Sequence, residues 1–289
     1  MSEFVLKNVK KTYGKKTVIE NLNLTLESGK IYGLIGRNGA GKTTLLSMMS
    51  NQVPKTEGTI TLDGQEIWEN RQALDRICFA RELTVTKENG LSGYRVGKYL
   101  KIAACYLSHW DQALADKLVS AFELDPKKKL GTLSKGQLSA VTIIVALASK
   151  AEFTFLDEPV AGLDIVAREL FYKLLLEEYT QSGRTFVIST HIIEEAVNVM
   201  EEVIILNRGK ILVKENTQQL LERAVSVSGL AEDVEKTTEG LHTYHGQKAG
   251  RRLEVTALLE EGQTLHTGYD VTEQPVTLEQ LFVALCQEV

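Results

Sequence analysis

Gly36-Arg37-Asn38-Gly39-Ala40-Gly41-Lys42-Thr43 follows the apolar run Ile31–Ile35 and opens a helical pattern at about Lys42 to Ser50. Glycines let successive backbone N–H groups turn toward one point, and the positive end of the following helix faces the same point. Such a loop cradles phosphate oxygens. The run matches Gly-x-x-x-x-Gly-Lys-[Ser/Thr], in which the lysine reaches the β- and γ-phosphates and the hydroxyl ligates Mg2+. A chance match in a glycine-rich turn arises in roughly one chain in a hundred of this length. The strand before the loop and the helix after it remove most of that alternative. Gly36, Asn38, Gly39, Ala40, Gly41, Lys42, Thr43 and Thr44 are therefore expected to hold a nucleotide's phosphates, with Thr43 on the metal.

Downstream, the apolar strand Glu152–Leu156 ends in Asp157-Glu158. Asp157 is expected beside the Mg2+ shell. Strand alternation sends Glu158 to the other side, as the candidate that polarises a water for attack on the γ-phosphate. A solvated acidic turn is the plain alternative, and the phosphate loop upstream decides against it. Strands at Phe4–Val9 and Thr17–Leu26 alternate apolar and polar residues, and Gly58–Gly64 reads as another strand and turn. From about Leu83 to Lys150 the period is helical, with a cap at Asp111 and a nearly apolar helix at Leu138–Ser149. Helices at Ile165–Gln181 and Ile193–Met200 then alternate with strands at Thr185–Ser189 and Val203–Asn207, which indicates a mainly parallel sheet.

After Arg208-Gly209-Lys210 the character shifts. Thr217–Ala224 reads as a short helix. Val225–Gln274 is rich in Gly, Thr and Glu, with one strand expected at Leu253–Leu259. Thr277 and Gln280 form a capping box before a helix carrying Leu278, Leu281, Phe282 and Leu285 on one face. The expected organisation is one large α/β domain over 1–216, with a helical subdomain at about 83–150, and an α+β accessory region over 217–289.

Composition excludes other classes. In 289 residues, 43% are apolar, 25% are charged and the net charge is −5. No basic footprint suggests nucleic acid. Met1–Asn8 shows no secretory signal, and Leu138–Ser149 is too short for a bilayer span of about 20 residues. Cys78, Cys105 and Cys286 are scattered and read as core thiols in a reducing compartment.

Leu133-Ser134-Lys135-Gly136-Gln137 resembles the Leu-Ser-Gly-Gly-Gln signature of ATP-binding cassettes. At a helix start, Ser134 caps, Gly136 admits close backbone approach and the helix end favours an anion. From Phe4 to Val213 the chain is similar to that family. The resemblance implies a mainly parallel core sheet, an antiparallel β subdomain and a helical subdomain. It implies ATP and Mg2+ as ligands, with Tyr13 stacked on adenine and His191 at the γ-phosphate. Ala161-Gly162-Leu163-Asp164 resembles the D-loop at a dimer interface. Ser134, Gly136, Gln137 and Asp164 would then serve nucleotide held by a second such subunit, in a homodimer or heterodimer. The other partner implied is a separate polytopic membrane permease, which places the chain in the cytoplasm at the inner face of the membrane.

Two departures from the family pattern stand out. Where the family carries a metal-binding glutamine after the strand preceding the helical subdomain, this chain offers Glu82, the third candidate metal ligand beside Thr43 and Asp157. The basic residue common after the signature is also missing. Tyr106–Asp111, Glu123–Lys129 and Val160–Phe171 resemble YtrB-like single-cassette ATPases of Gram-positive bacteria, which implies export of antimicrobial or cell-envelope compounds. The competing reading is a regulatory, weakly hydrolysing cassette not directly engaged in transport. A soluble cassette acting on ribosomes or DNA is disfavoured by the single phosphate loop and the acidic balance.

Overall fold

The computed structural model describes residues 2–260 and 262–287. The N-terminal part runs β1 (Glu3–Tyr13), β2 (Lys16–Glu27), β3 (Ile31–Ile35), α1 (Lys42–Met49), β4 (Glu57–Leu62), β5 (Gln65–Glu66), α2 (Arg71–Leu74) and β6 (Ile77–Ala80). The middle comprises α3 (Val96–Tyr106), α4 (Gln112–Ala121), α5 (Lys135–Ala148), β7 (Phe153–Asp157), α6 (Ile165–Ser182), β8 (Thr185–Thr190), α7 (Ile193–Ala196), β9 (Glu202–Asn207) and β10 (Lys210–Asn216). The last part comprises α8 (Thr217–Glu222), β11 (Ala224–Leu230), α9 (Ala231–Thr237), β12 (His242–Ala249), β13 (Arg252–Leu258), β14 (Val271–Pro275) and α10 (Leu278–Gln287).

Strands β3, β7 and β8 bury every residue. Strands apolar on both faces belong inside a parallel sheet covered on both sides. The sheet order is β10-β9-β3-β8-β7-β6, parallel from β9 to β6, with β10 antiparallel at one edge. Alternation splits the strands between two cores. Ile31, Ile35, Leu156, Ile188 and Ile205 face the helical side. Tyr32, Leu34, Phe155, Val187 and Ile204 face α1 and the antiparallel sheet β2-β1-β4-β5. Phe4 of β1 joins the two sheets, its ring centroid 5.6 Å from those of Phe153 and Phe155.

The helical subdomain begins later than its pattern predicts. Residues 81–95 form a loop with one short turn at Leu91–Gly93. The Asn89 carboxamide accepts from the Thr86 and Leu91 N–H groups, and the Thr86 hydroxyl accepts from Asn89 N–H. Such local side-chain bonds compete with helix formation. The expected 193–200 helix likewise stops at Ala196 and tightens into a 3-10 turn over Val197–Val199. Asp111 caps α4 as expected, its Oδ1 accepting from Leu114 N–H at 2.9 Å.

Beneath the C-terminal end of α5 lies a buried charge cluster. Arg184 Nη2 donates to the Leu147 carbonyl at 2.6 Å, and its Nε lies 3.2 Å from Glu178 Oε1. Lys150 Nζ donates to both oxygens of Glu178 at 2.9 Å. Burial pushes the Arg184 guanidinium below its ordinary pKa, and Glu178 opposes that shift.

The C-terminal part contains more strand than the one expected. β12-β13-β11-β14 form an antiparallel sheet with α9 against it and a small core of Val227, Val234 and Val255. Helix α10 returns to the main core. Its Leu278, Leu281 and Leu285 join the main core together with Ile193, Val199 and Leu220. The Thr277/Gln280 capping box forms, with bonds of 2.8 and 3.2 Å.

Candidate active site

Gly41 caps the start of helix α1, with a φ of 112° that is open only to glycine at low cost. A Cβ there would also stand 2.7 Å from Ile19 Cδ1. The loop ahead of it is braced by the turn after β9, where Gly209 N–H donates to the Ala40 carbonyl at 2.9 Å. Lys42 is 7% exposed, and its Nζ donates to the Gly36 carbonyl at 2.7 Å. The same ammonium lies 3.4 Å from Glu158 Oε1.

Thr43 and Asp157 come from positions distant in sequence and meet here. Thr43 Oγ1 donates to Asp157 Oδ2 at 2.6 Å, and Ser189 Oγ donates to Asp157 Oδ1 at 2.5 Å. A hydroxyl and a carboxylate are the hard oxygen donors that Mg2+ prefers. Among the described residues no cluster of three or more His, Cys, Asp or Glu could cage an ion alone. The Thr43 hydroxyl and Asp157 carboxylate, both hard oxygen donors at the phosphate loop, fit Mg2+.

Glu158 corrects one expectation. It lies just past the strand, so a turn and not strand alternation sets its direction. Strand β7 ends at Asp157, and Glu158 has a φ of 50°. Its N–H is held by the Ser189 carbonyl and Oγ, each at 3.1 Å. This turn replaces strand alternation and carries the carboxylate to Lys42. The other carboxylate oxygen lies 2.7 Å from His191 Nδ1. Lys42, Glu158 and His191 thus form one chain of contacts. A left-handed non-glycine residue is uncommon and concentrates at functional sites.

Lys42, Thr43 and Glu158 border a cavity of about 490 Å3 that is also lined by Lys16, Thr17, Val18, Arg37, Asn38, Gly39, Gly41, Thr44 and Arg208, while Asp157, Ser189 and His191 lie outside its lining. Its volume suits a nucleotide. Sequence reasoning missed Ser189, Lys16, Thr17, Val18, Arg37 and Arg208. Of the cations, Lys16 opens β2 and Arg208 lies in the β9–β10 turn, and only those places in the fold mark them. Tyr13 pairs with Lys16 across that hairpin but does not line the cavity. Its ring is 47% exposed, with Lys11 Nζ 4.6 Å from the centroid. A larger groove of about 910 Å3 between α6 and α7 holds none of the motif residues, so volume alone does not mark the chemistry.

The signature run sits apart from this cavity. Ser134 caps α5 in a full capping box with Gln137, each bond 3.2 Å. A Cβ on Gly136 would stand 2.6 Å from the Gly162 carbonyl oxygen, and Ser139 Oγ donates to the Ala161 carbonyl at 2.6 Å. The start of α5 is therefore pressed onto the loop that follows Glu158. Asp164 ends that loop and caps α6, accepting from Ala167 N–H at 2.8 Å. Glu82 lies outside the cavity, 58% exposed, with its carboxylate 3.2 Å from Lys135 Nζ.

A family model described as ABC transporter matches residues 19–161. The chain is 31% identical over 255 residues to a petrobactin import ATP-binding protein of Bacillus subtilis, an alignment spanning 85% of this chain and 97% of that protein. It is 30% identical to a lantibiotic transport ATP-binding protein of Streptococcus pyogenes, over 76% of this chain and 96% of that one. A solved ATP-binding subunit of an ABC transporter superposes with a TM-score of 0.66 at 22% identity, over 76% of this chain and 92% of that structure, a likeness of fold. No helix among the described residues is long and apolar enough to cross a membrane.

Proposed function

This chain belongs to the ABC transporter family, and on that premise we propose how its residues divide the work. It is an ATP-binding and ATP-hydrolysing subunit of such a transporter. The observation that carries the assignment of roles is the meeting of Lys42, Glu158 and His191 at the mouth of the phosphate loop. The loop amides from Gly36 to Thr44 take the phosphate oxygens, and Lys42 exchanges Glu158 for the β- and γ-phosphates. Thr43 and Asp157 would hold Mg2+, which would supply positive charge against the phosphates. Glu158 accepts a hydrogen bond and then a proton from the attacking water, whose oxygen bonds to γ-phosphorus as the bond to the bridging oxygen breaks and ADP leaves. His191 orients Glu158 and reaches the γ-phosphate, and Tyr13 stacks on adenine. Glu82 is the outlying candidate for the metal.

Residues 1–216 form the catalytic unit and 217–289 the accessory region. Two cassettes, alike or different, close head to tail, so that Ser134, Gly136, Gln137 and Asp164 of one complete the nucleotide site of the other. A separate polytopic permease brings the pair to the inner face of the membrane. The relative named for lantibiotic transport supports antimicrobial or cell-envelope compounds as the cargo class, and export is the direction proposed. Phosphate release from Mg-ATP, measured for the chain alone and with its permease, tests this reading. Lys42→Ala should abolish turnover in both settings. Wild-type chain that releases no phosphate in either setting would favour the weakly hydrolysing, regulatory alternative.

A further inference from the structure

We propose that Lys135 is a positioning residue for ATP binding: it holds the Glu82 carboxylate aside and neutralises it toward the triphosphate. The inference rests on the nucleotide reading above and deepens it. Glu82 stands where the family pattern has a neutral glutamine, and Lys135 stands where the signature has its first glycine. Each substitution alone adds a charge. In the fold the two added charges face each other, Lys135 Nζ lying 3.2 Å from Glu82 Oε1.

The surroundings explain why this contact concerns the site. Glu82 lies two residues beyond the end of β6. That strand pairs in parallel with β7, Ala80 opposite Leu156, so Glu82 leaves the same sheet end that carries Asp157 and Glu158. An unpaired carboxylate there adds repulsion toward a multiply charged phosphate chain. Lys135 sits on the first turn of α5, and its stem is seated. A Cβ built on Gly162 would stand 2.7 Å from Lys135 Cγ, and Gly162 has a φ of 79°. The glycine thus leaves a track for the lysine stem, which runs over the loop following Glu158. Both side chains are more than half exposed, and exposed pairs contribute little to stability. The effect of the pair lies in where it fixes a negative charge.

The test uses Lys135→Met, which keeps the stem over Gly162 and removes the charge, with Lys135→Arg, Glu82→Gln and the double variant Glu82→Gln/Lys135→Met. ATP affinity is measured at equilibrium in EDTA, and KM and kcat with Mg-ATP, at low and high ionic strength. Thermal melting checks that each variant is folded. Lys135→Met should weaken ATP binding and raise KM roughly three- to tenfold at low salt, with a smaller change in kcat. The effect should shrink at high salt as charges are screened. Lys135→Arg should restore wild-type values. In the Glu82→Gln background, Lys135→Met should shift affinity at most marginally. An equal loss in both backgrounds would overturn the proposal, because the lysine would then act on phosphate without Glu82. So would wild-type affinity and KM in Lys135→Met. Wild-type chain that binds no ATP would instead overturn the nucleotide reading itself.

Discussion

At Glu158 the backbone leaves strand β7 with a φ of 50°, and that turn aims the carboxylate at Lys42 and His191. Glu158→Gln keeps the shape and removes the charge, so the amide is a much poorer base. Steady-state hydrolysis should fall by about 10²- to 10⁴-fold, the usual contribution of a positioned base. ATP affinity should hold or rise, because a negative charge facing the triphosphate is gone. Turnover at the wild-type rate would remove Glu158 from catalysis. The sequence singles out residues where chemistry forces both identity and spacing, as at Lys42, Thr43 and Asp157, and the fold brings Thr43 to Asp157. The direction of Glu158 was not legible, because alternation holds only while the strand lasts. Ser189 was hidden for another reason: a serine near a strand end carries no pattern, and only the fold shows it donating to Asp157.

Among the elements, α5 and its footing on Arg184 give the clearest energetic expectation. Arg184 is 5% exposed and bridges the Leu147 carbonyl to Glu178. Arg184→Met removes the cation from a buried pair and leaves Glu178 with Lys150 alone. Because Lys150 still compensates Glu178, the loss should be about 1.5–3 kcal/mol in chemical denaturation, the scale of a lost charge-assisted hydrogen bond. Glu178→Gln/Arg184→Met, which removes both charges, should recover part of it. If the single variant loses under about 1 kcal/mol, the cluster is not a structural anchor. Elements buried on both faces, such as β3 and β8, were readable from their apolar runs. β12 and β14 were not, since their side chains are mostly exposed and show no alternation. Nor was the loop over 81–95, where Asn89 and Thr86 bind their own backbone within a stretch of helical periodicity.

On the scale of the whole molecule, the accessory region and the cassette share a core through α10. Leu281 has no exposed surface and lies in the main cluster. Leu281→Ala should therefore destabilise the chain by about 2–5 kcal/mol, read as a lowered melting temperature that also releases bound nucleotide. Unaltered melting would mean that α10 is energetically dispensable. Head-to-tail closure gives a second expectation. Ser134→Arg, placed on the Glu158→Gln background, should bind ATP yet remain monomeric by size exclusion with light scattering. A dimer of that variant would mean the signature end of α5 does not face a partner's nucleotide. The seating of Gly136 and Ser139 on residues 161 and 162 has a mechanical consequence. Helix α5 has 14 residues and is a rod about 21 Å long, at 1.5 Å per residue. Its near end is fastened to the loop that begins at Glu158. Tilting the rod by roughly 3° moves one end by about 1 Å relative to the other, a misplacement on the scale that costs catalysis about a hundredfold. A tilt of the rod is thereby passed to the loop that carries Glu158.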